Sequence, residues 1–287
     1  MAENIYDELK KKYTEYHPNV KHSRDIRVGR LGERNVRSKY IDEIHQNLKV
    51  LHNIHKNKSA VVFGAGPSLL SYSEIDDGTS IRVSCNRQIF REEILPFHLY
   101  INVDGGSGGK HSYVEDFKEE IDSYQPLYAK FYCVHWNVLY EAYVEAGAIP
   151  FMVTTTKYFR IPFNRDNGTE HSTYIEDPNL AHLSEFSSDL SKTPPALNSN
   201  VGQVIMQFLL YMGFSKIYLV GFDASGGGRW NHETAYWRRS DYAQNVAQWP
   251  RRWYFFRKWQ KESYPNVKII NVNPVGLKGM MDEDIYT

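Results

Sequence analysis

Cysteine is nearly missing from this chain: Cys85 and Cys133 are the only two in 287 residues. So small a number excludes a disulfide framework and a cysteine-built zinc cluster, and the apolar neighbours of both read as core positions holding reduced thiols. Net charge is missing as well, because 34 Lys and Arg offset 34 Asp and Glu. Without a global field, nucleic acid is disfavoured as a partner and any polyanion would have to be held locally. No apolar run reaches the length of a signal-peptide core or a membrane span, so the expectation is a cytoplasmic chain with no membrane span. What is plentiful is core material, with 41% hydrophobic and 14% aromatic residues, enough for one large domain or a domain with an appendage.

Residues 1–58 are rich in charge, and Ile41, Ile44, Leu48 and Leu51 follow the 3, 4, 3 spacing of one apolar helix face. They read as an N-terminal helical arm docked on a main domain at 59–287. From Ser59 onward, short β-rich runs alternate with helical stretches, the pattern of an α/β, Rossmann-like fold with a largely parallel sheet flanked by helices. Strands are expected at 60–63, 81–84, 98–103, 127–134, 151–154, 216–220 and 267–272. The clearest helix lies between Asn200 and Met212, with Val201, Val204, Ile205, Phe208 and Leu209 at helical spacing and Gly213 closing the run. Residues 155–198, rich in Asn, Ser, Thr, Asp and Pro, read as a loop or lid insertion.

The first strand runs straight into Gly64-Ala65-Gly66-Pro67-Ser68. A helix beginning with Pro67 at its first position would leave the amides of Ser68 and its successors, with the Ser68 hydroxyl, facing an anion. Glycines at 64 and 66 would let the backbone approach such a ligand. A tight strand-to-helix connection is the bland alternative. Leu69 stands where a dinucleotide fingerprint needs a third small residue, and Ser84-Cys85-Asn86 offers no acid for an NAD ribose, which argues against a dehydrogenase. The segment from Gly105 to Lys110 lacks the first glycine of a Walker A loop and has His111 where magnesium needs Ser or Thr.

Ligands of parallel α/β sheets bind beyond the carboxyl ends of strands. Asn86 and Arg87 follow the second strand, Asn102 and Asp104 end the third, and Asp223 follows Gly221-Phe222. Each could equally be a turn former. Asp104 and Asp223 together suit either a divalent cation beside phosphates or sugar hydroxyls without metal. His232, in the Gly-rich segment after Asp223, is a candidate general base because imidazole titrates near neutrality. Tyr236, Arg238, Arg239, Tyr242, Arg251 and Arg252 are phenols and cations suited to a departing phosphate. The aromatic and basic run at 249–259 reads as a helix begun by Pro250, with its aromatic side on the sheet.

Residues 61–69, Val-Val-Phe-Gly-Ala-Gly-Pro-Ser-Leu, resemble the opening motif of the MptE-like (DUF115) group, which includes Maf flagellin glycosyltransferases and archaeal hydroxymethylpterin diphosphokinases. They are also similar to Campylobacter-type sialyltransferases. Further blocks carry the likeness: Asn86, Asn102 to Asp104, the turn at Ser199 and Asn200 with its helix, Gly221-Phe222-Asp223, the Gly226 to His232 loop, and Asn271 to Pro274. At 198–200 the sialyltransferases carry an Arg and a Thr-Ser pair instead. The resemblance covers about residues 59–275 and implies a transferase with Gly64, Gly66, Pro67, Ser68, Asn86, Asn102, Asp104, Ser199 and Asn200 at the nucleotide or donor. It implies His232, Asp223 and Tyr236 at the catalytic centre.

The expected activity is therefore glycosyl transfer from a nucleotide-activated sugar to a small-molecule or glycan acceptor, with no cofactor required and with oligomerisation left open. A magnesium-dependent diphosphokinase using Asp104 and Asp223, or a non-catalytic nucleotide-binding module, stand as the alternatives.

Overall fold

A computed structural model describes residues 2–16, 44–64, 66, 68–69, 79–85, 96–103, 123–133, 147–151, 153, 186–196, 201–223 and 240–287. Among the described residues, eight parallel strands form one sheet: β1 (Ser59–Phe63), β2 (Ile81–Ser84), β3 (Leu99–Asn102), β4 (Ala129–Cys133), β5 (Ala148–Phe151), β6 (Lys216–Val220), β7 (Lys268–Val272) and β8 (Glu283–Ile285). Their order is β5-β4-β3-β2-β1-β6-β7-β8. The chain thus builds outward from β1 to one edge, returns to lay β6 on the other side of β1, and continues to the opposite edge. The architecture is α/β and Rossmann-like.

Parallel sheets are covered on both faces, which is why the inner strands are nearly continuous runs of buried residues. Ala60, Val62, Val83, Leu99, Ile101, Phe131, Ile149, Phe151, Ile217, Leu219 and Ile269 belong to one large core, and Val61, Phe63, Val220 and Val272 to a smaller one on the other face. Helix α2 (Val201–Tyr211) supplies the large core with a side chain at almost every position, since all its residues from Gly202 to Tyr211 are buried. A helix apolar or buried around its whole girth belongs in an interior. Helix α3 (Ser240–Ser263) adds Trp253 and Phe256 to the same core. Among the described residues, no helix is long and apolar enough to cross a membrane.

Several details differ from expectation. The fifth strand lies at Ala148–Phe151 rather than 151–154, and it contains Pro150. Pro is tolerated there because, among the described residues, β5 pairs only with β4, so its missing amide costs no ladder bond on the open side. Pro250 sits inside α3 rather than at its start, and the helix continues through to Ser263, anchored beyond the proline by buried Trp253 and Phe256. Helix α1 (Ala2–Tyr16) falls within the stretch expected as a helical arm, at a place where the sequence shows no obvious apolar stripe. Its Tyr6, Leu9 and Tyr13, spaced 3 and 4 apart, are buried in the large core together with Ile44, Leu48 and Leu51. Ile41 and residues 154–185 lie outside the described residues. Of the stretch expected as a lid, residues 186–196 are packed down: Phe186 meets the rings of Phe256 and Trp259, and Tyr264 Oη donates to Ser188 O at 2.8 Å.

Helix α1 is fastened at the amino edge of the sheet. Tyr6 Oη lies 2.7 Å from His55 Nε2, with both side chains fully buried. Burial first, then Lys58 and His98, lowers the His55 imidazole from 6.5 to about 4. Because the folded pKa lies below the unfolded one, the unfolded chain binds the extra proton between these values. Stability is therefore retained above about pH 6.5 and falls as the pH drops toward 4, by about 3 kcal/mol from this group. Urea unfolding at pH 7 and pH 4 measures the slope, and His55→Gln should flatten it; an unchanged slope in that variant would refute the assignment.

Candidate functional site

The sheet order reverses between β1 and β6, so the turns that leave these two strands lie side by side at the carboxyl edge. Their pairing continues past the strands. Gly64 N donates to Val220 O and Gly66 N to Gly221 O, each at 2.7 Å. Two residues further along each turn, Ser68 N donates to Asp223 Oδ2, also at 2.7 Å. The Asp223 carbonyl in turn accepts from Gly276 N at 2.6 Å, so the segment after β7 holds the same residue from behind.

Glycine is what lets the two turns touch. A Cβ on Gly64 would lie 2.5 Å from Gly221 O, and one on Gly66 would lie 2.5 Å from Asp223 Oδ2 and 2.6 Å from Gly221 O. Gly221 itself has φ +72°, and a Cβ there would meet Gly64 O at 2.7 Å. The close approach expected between this backbone and a ligand is, in the described structure, an approach of chain to chain.

The amide expected to face an anion is likewise taken: Asp223 occupies the Ser68 N–H where a phosphate oxygen was expected. Leu69, at the position of the missing third small residue, is buried beside Gly221 and donates its amide to Gly66 O at 3.1 Å. Burial raises the Asp223 carboxyl above its usual range, opposed by the Ser68 hydroxyl and amide. Its second oxygen, Oδ1, is buried and has no hydrogen-bond partner. A buried charged acceptor left in that state is costly, which marks Oδ1 as the unsatisfied atom of the turn pair.

The predicted residues are therefore divided. Gly64, Gly66, Ser68 and Asp223 converge. Asn102 is fully buried at the end of β3, three strand positions from β6, or about 14 Å along the carboxyl edge. Pro67, Asn86, Asp104, Ser199, Asn200, His232 and Tyr236 lie outside the described residues, as do the side chains of Tyr242 and Arg251. Arg252 is described and buried. Among the described residues no group of three or more His, Cys, Asp or Glu is placed to hold a metal ion.

Two buried polar side chains near the strand ends escaped sequence reasoning. Ser84 Oγ, at the end of β2, and both carboxamide atoms of Gln203, in the first turn of α2, have no hydrogen-bond partner. Gln203 hid within an apolar helical stripe, where a lone Gln gives no signal of burial. In the sequence Gly221 is only part of a Gly-x-Asp strand ending, and its role as the counterpart of Gly64 depends on which strands are neighbours.

No protein-family model matches the sequence, and no curated protein matches it. Among solved structures, the chain is similar to the sialyltransferase CstII from Campylobacter jejuni, determined in complex with a substrate analogue, cytidine-5'-monophosphate. The identity is 12% and the TM-score 0.33, over 75% of this chain and 79% of that one.

Proposed function

We propose that this chain is a transferase that takes a nucleotide-activated sugar as donor and binds its nucleotide at the carboxyl edge where β1 meets β6. The observation that carries the reading is the reversal of strand order at that point. In open α/β sheets, crossovers leaving in opposite directions part the covering layers beyond such a strand pair, and ligands bind there. Here the same point holds the Gly64 to Ser68 turn, Asp223 and an unpartnered buried carboxylate oxygen. The motif resemblance of these residues to nucleotide-using transferases supports the donor class.

In this reading Asn86, Asn102 and Asp104 extend the donor site along the strand ends, with Ser199 and Asn200 at the start of α2. His232 removes the proton of the acceptor hydroxyl as that oxygen attacks the anomeric carbon, and Tyr236 with nearby arginines takes up the charge of the departing phosphate. Asp223 orients hydroxyls and requires no metal, since Ser68 already occupies one of its oxygens.

A thermal-shift screen of the full chain against CMP, UDP, GDP and ATP compounds, with magnesium and with EDTA, tests the proposal. One nucleotide class should stabilise the protein by about 2.7 kcal/mol at a hundredfold excess over its dissociation constant, in EDTA as in magnesium. Stabilisation that vanishes in EDTA would favour phosphoryl transfer instead. No stabilisation by any of them would end the nucleotide reading.

A further inference from the structure

We infer that the β1 and β6 turns meet the nucleotide through a ribose hydroxyl donated to Asp223 Oδ1, and that they do not cradle its phosphates. The inference rests on the nucleotide reading above and specifies which part of the ligand reaches this point.

Three observations converge on it. Every described amide of the first turn is already donated within the chain: Gly64 to Val220 O, Gly66 to Gly221 O, Ser68 to Asp223 Oδ2 and Leu69 to Gly66 O. Phosphate cradles work through several free backbone N–H groups, and among the described residues of this turn none is left. Next, the group lying on the Ser68 amide is itself an anion, so a phosphate arriving there would meet a carboxylate at close range. Like charges in a poorly solvated site repel strongly, whereas a neutral hydroxyl is attracted. Finally, the atom in need of a partner is an acceptor. Asp223 Oδ1 is buried and lacks a donor, while Oδ2 is pinned by Ser68 and the backbone carbonyl by Gly276. A carboxylate clamped at one oxygen and without a donor at the other is complementary to an O–H group, and a nucleotide's ribose supplies two.

Gly66 sets the position of that oxygen. Any side chain there would displace Oδ2, from which its Cβ would stand 2.5 Å away. The phosphates then lie further along the carboxyl edge, away from Asp223.

The test compares binding of ribonucleoside monophosphates with their 2'-deoxy and 3'-deoxy counterparts, and of inorganic phosphate and pyrophosphate, to the full chain by calorimetry. Removing the hydroxyl that meets Asp223 should weaken binding about ten- to a hundredfold, the usual worth of a hydrogen bond to a charged acceptor. Asp223→Asn should weaken the ribonucleotide by a similar factor and become indifferent to loss of that hydroxyl, so that the two changes are not additive. Inorganic phosphate and pyrophosphate should not bind the wild type measurably.

Pyrophosphate binding that tightens in Asp223→Asn would overturn the inference, since the carboxylate would then be plugging an anion site. Equal binding of ribo and deoxy forms would also overturn it, while leaving the nucleotide reading intact. Failure of every nucleotide to bind would overturn both. If Asp223→Asn does not fold, the deoxy series on the wild type decides the matter alone.

Discussion

Gly221→Ala is expected to cost about 4 kcal/mol of stability and to abolish binding at the β1 and β6 turns. Two effects add. A left-handed backbone at φ +72° is strained by about 1–2 kcal/mol for a residue with a Cβ. The added methyl also lies 2.7 Å from Gly64 O, a backbone atom that cannot swing aside, and forced overpacking of this kind costs about 1–3 kcal/mol. Moving Gly64 loosens its bond to Val220 O and disturbs the Gly66 to Gly221 bond beside it. Gly279 is the internal control. It has φ +71°, and a Cβ there would have nothing within 4 Å, so Gly279→Ala should show the backbone strain alone, about 1 kcal/mol. Urea unfolding of both variants reads the difference. Equal losses would show that the two turns do not press on each other.

A second large loss is expected from Gln207→Leu, at about 4 kcal/mol. Gln207 is fully buried in α2, and its carboxamide is completely used: Oε1 accepts from Ser187 N and Ala196 N at 2.9 Å each, and Nε2 donates to Ala196 O at 3.0 Å and Gln203 O at 2.9 Å. One side chain thereby closes both ends of the segment 187–196. Leucine keeps much of the volume but strands two buried amides and a carbonyl, each costing about 1–3 kcal/mol when left without a partner. Urea unfolding measures the total, and limited proteolysis between 187 and 196 should become faster. A loss under about 1 kcal/mol would mean the segment is held by Phe186 and Tyr264 instead.

How much was legible before the structure depended on what each residue's neighbours had to be. β1, β2 and β6 were read correctly because a buried parallel strand announces itself as a short apolar run. β5 was displaced because Pro150 looks like a breaker until its strand is known to lie at an edge. Within the expected helical arm, the buried face of α1 is hard to read because two of its three anchors are Tyr6 and Tyr13, set among Asp, Glu and Lys. β8 was missed because Glu283 and Asp284 belong to an edge strand whose side chains meet water. Asp223 could be singled out as a strand-end acid, and Ser68 as a helix-start donor, each from its local context. Their bond could not be, because 155 residues separate them and only the order of strands in the sheet brings them together.

That separation also sets a timetable during synthesis. β1 lies at the centre of the finished sheet, yet its second neighbour, β6, is made more than 150 residues later. At ordinary elongation rates the gap is about 10–30 s. Throughout it the nascent chain carries one bare strand edge, and the Tyr6 anchor of α1 still lacks Met212, 206 residues downstream. Slowing translation ahead of β6 lengthens the interval in which that edge is open to the wrong partner.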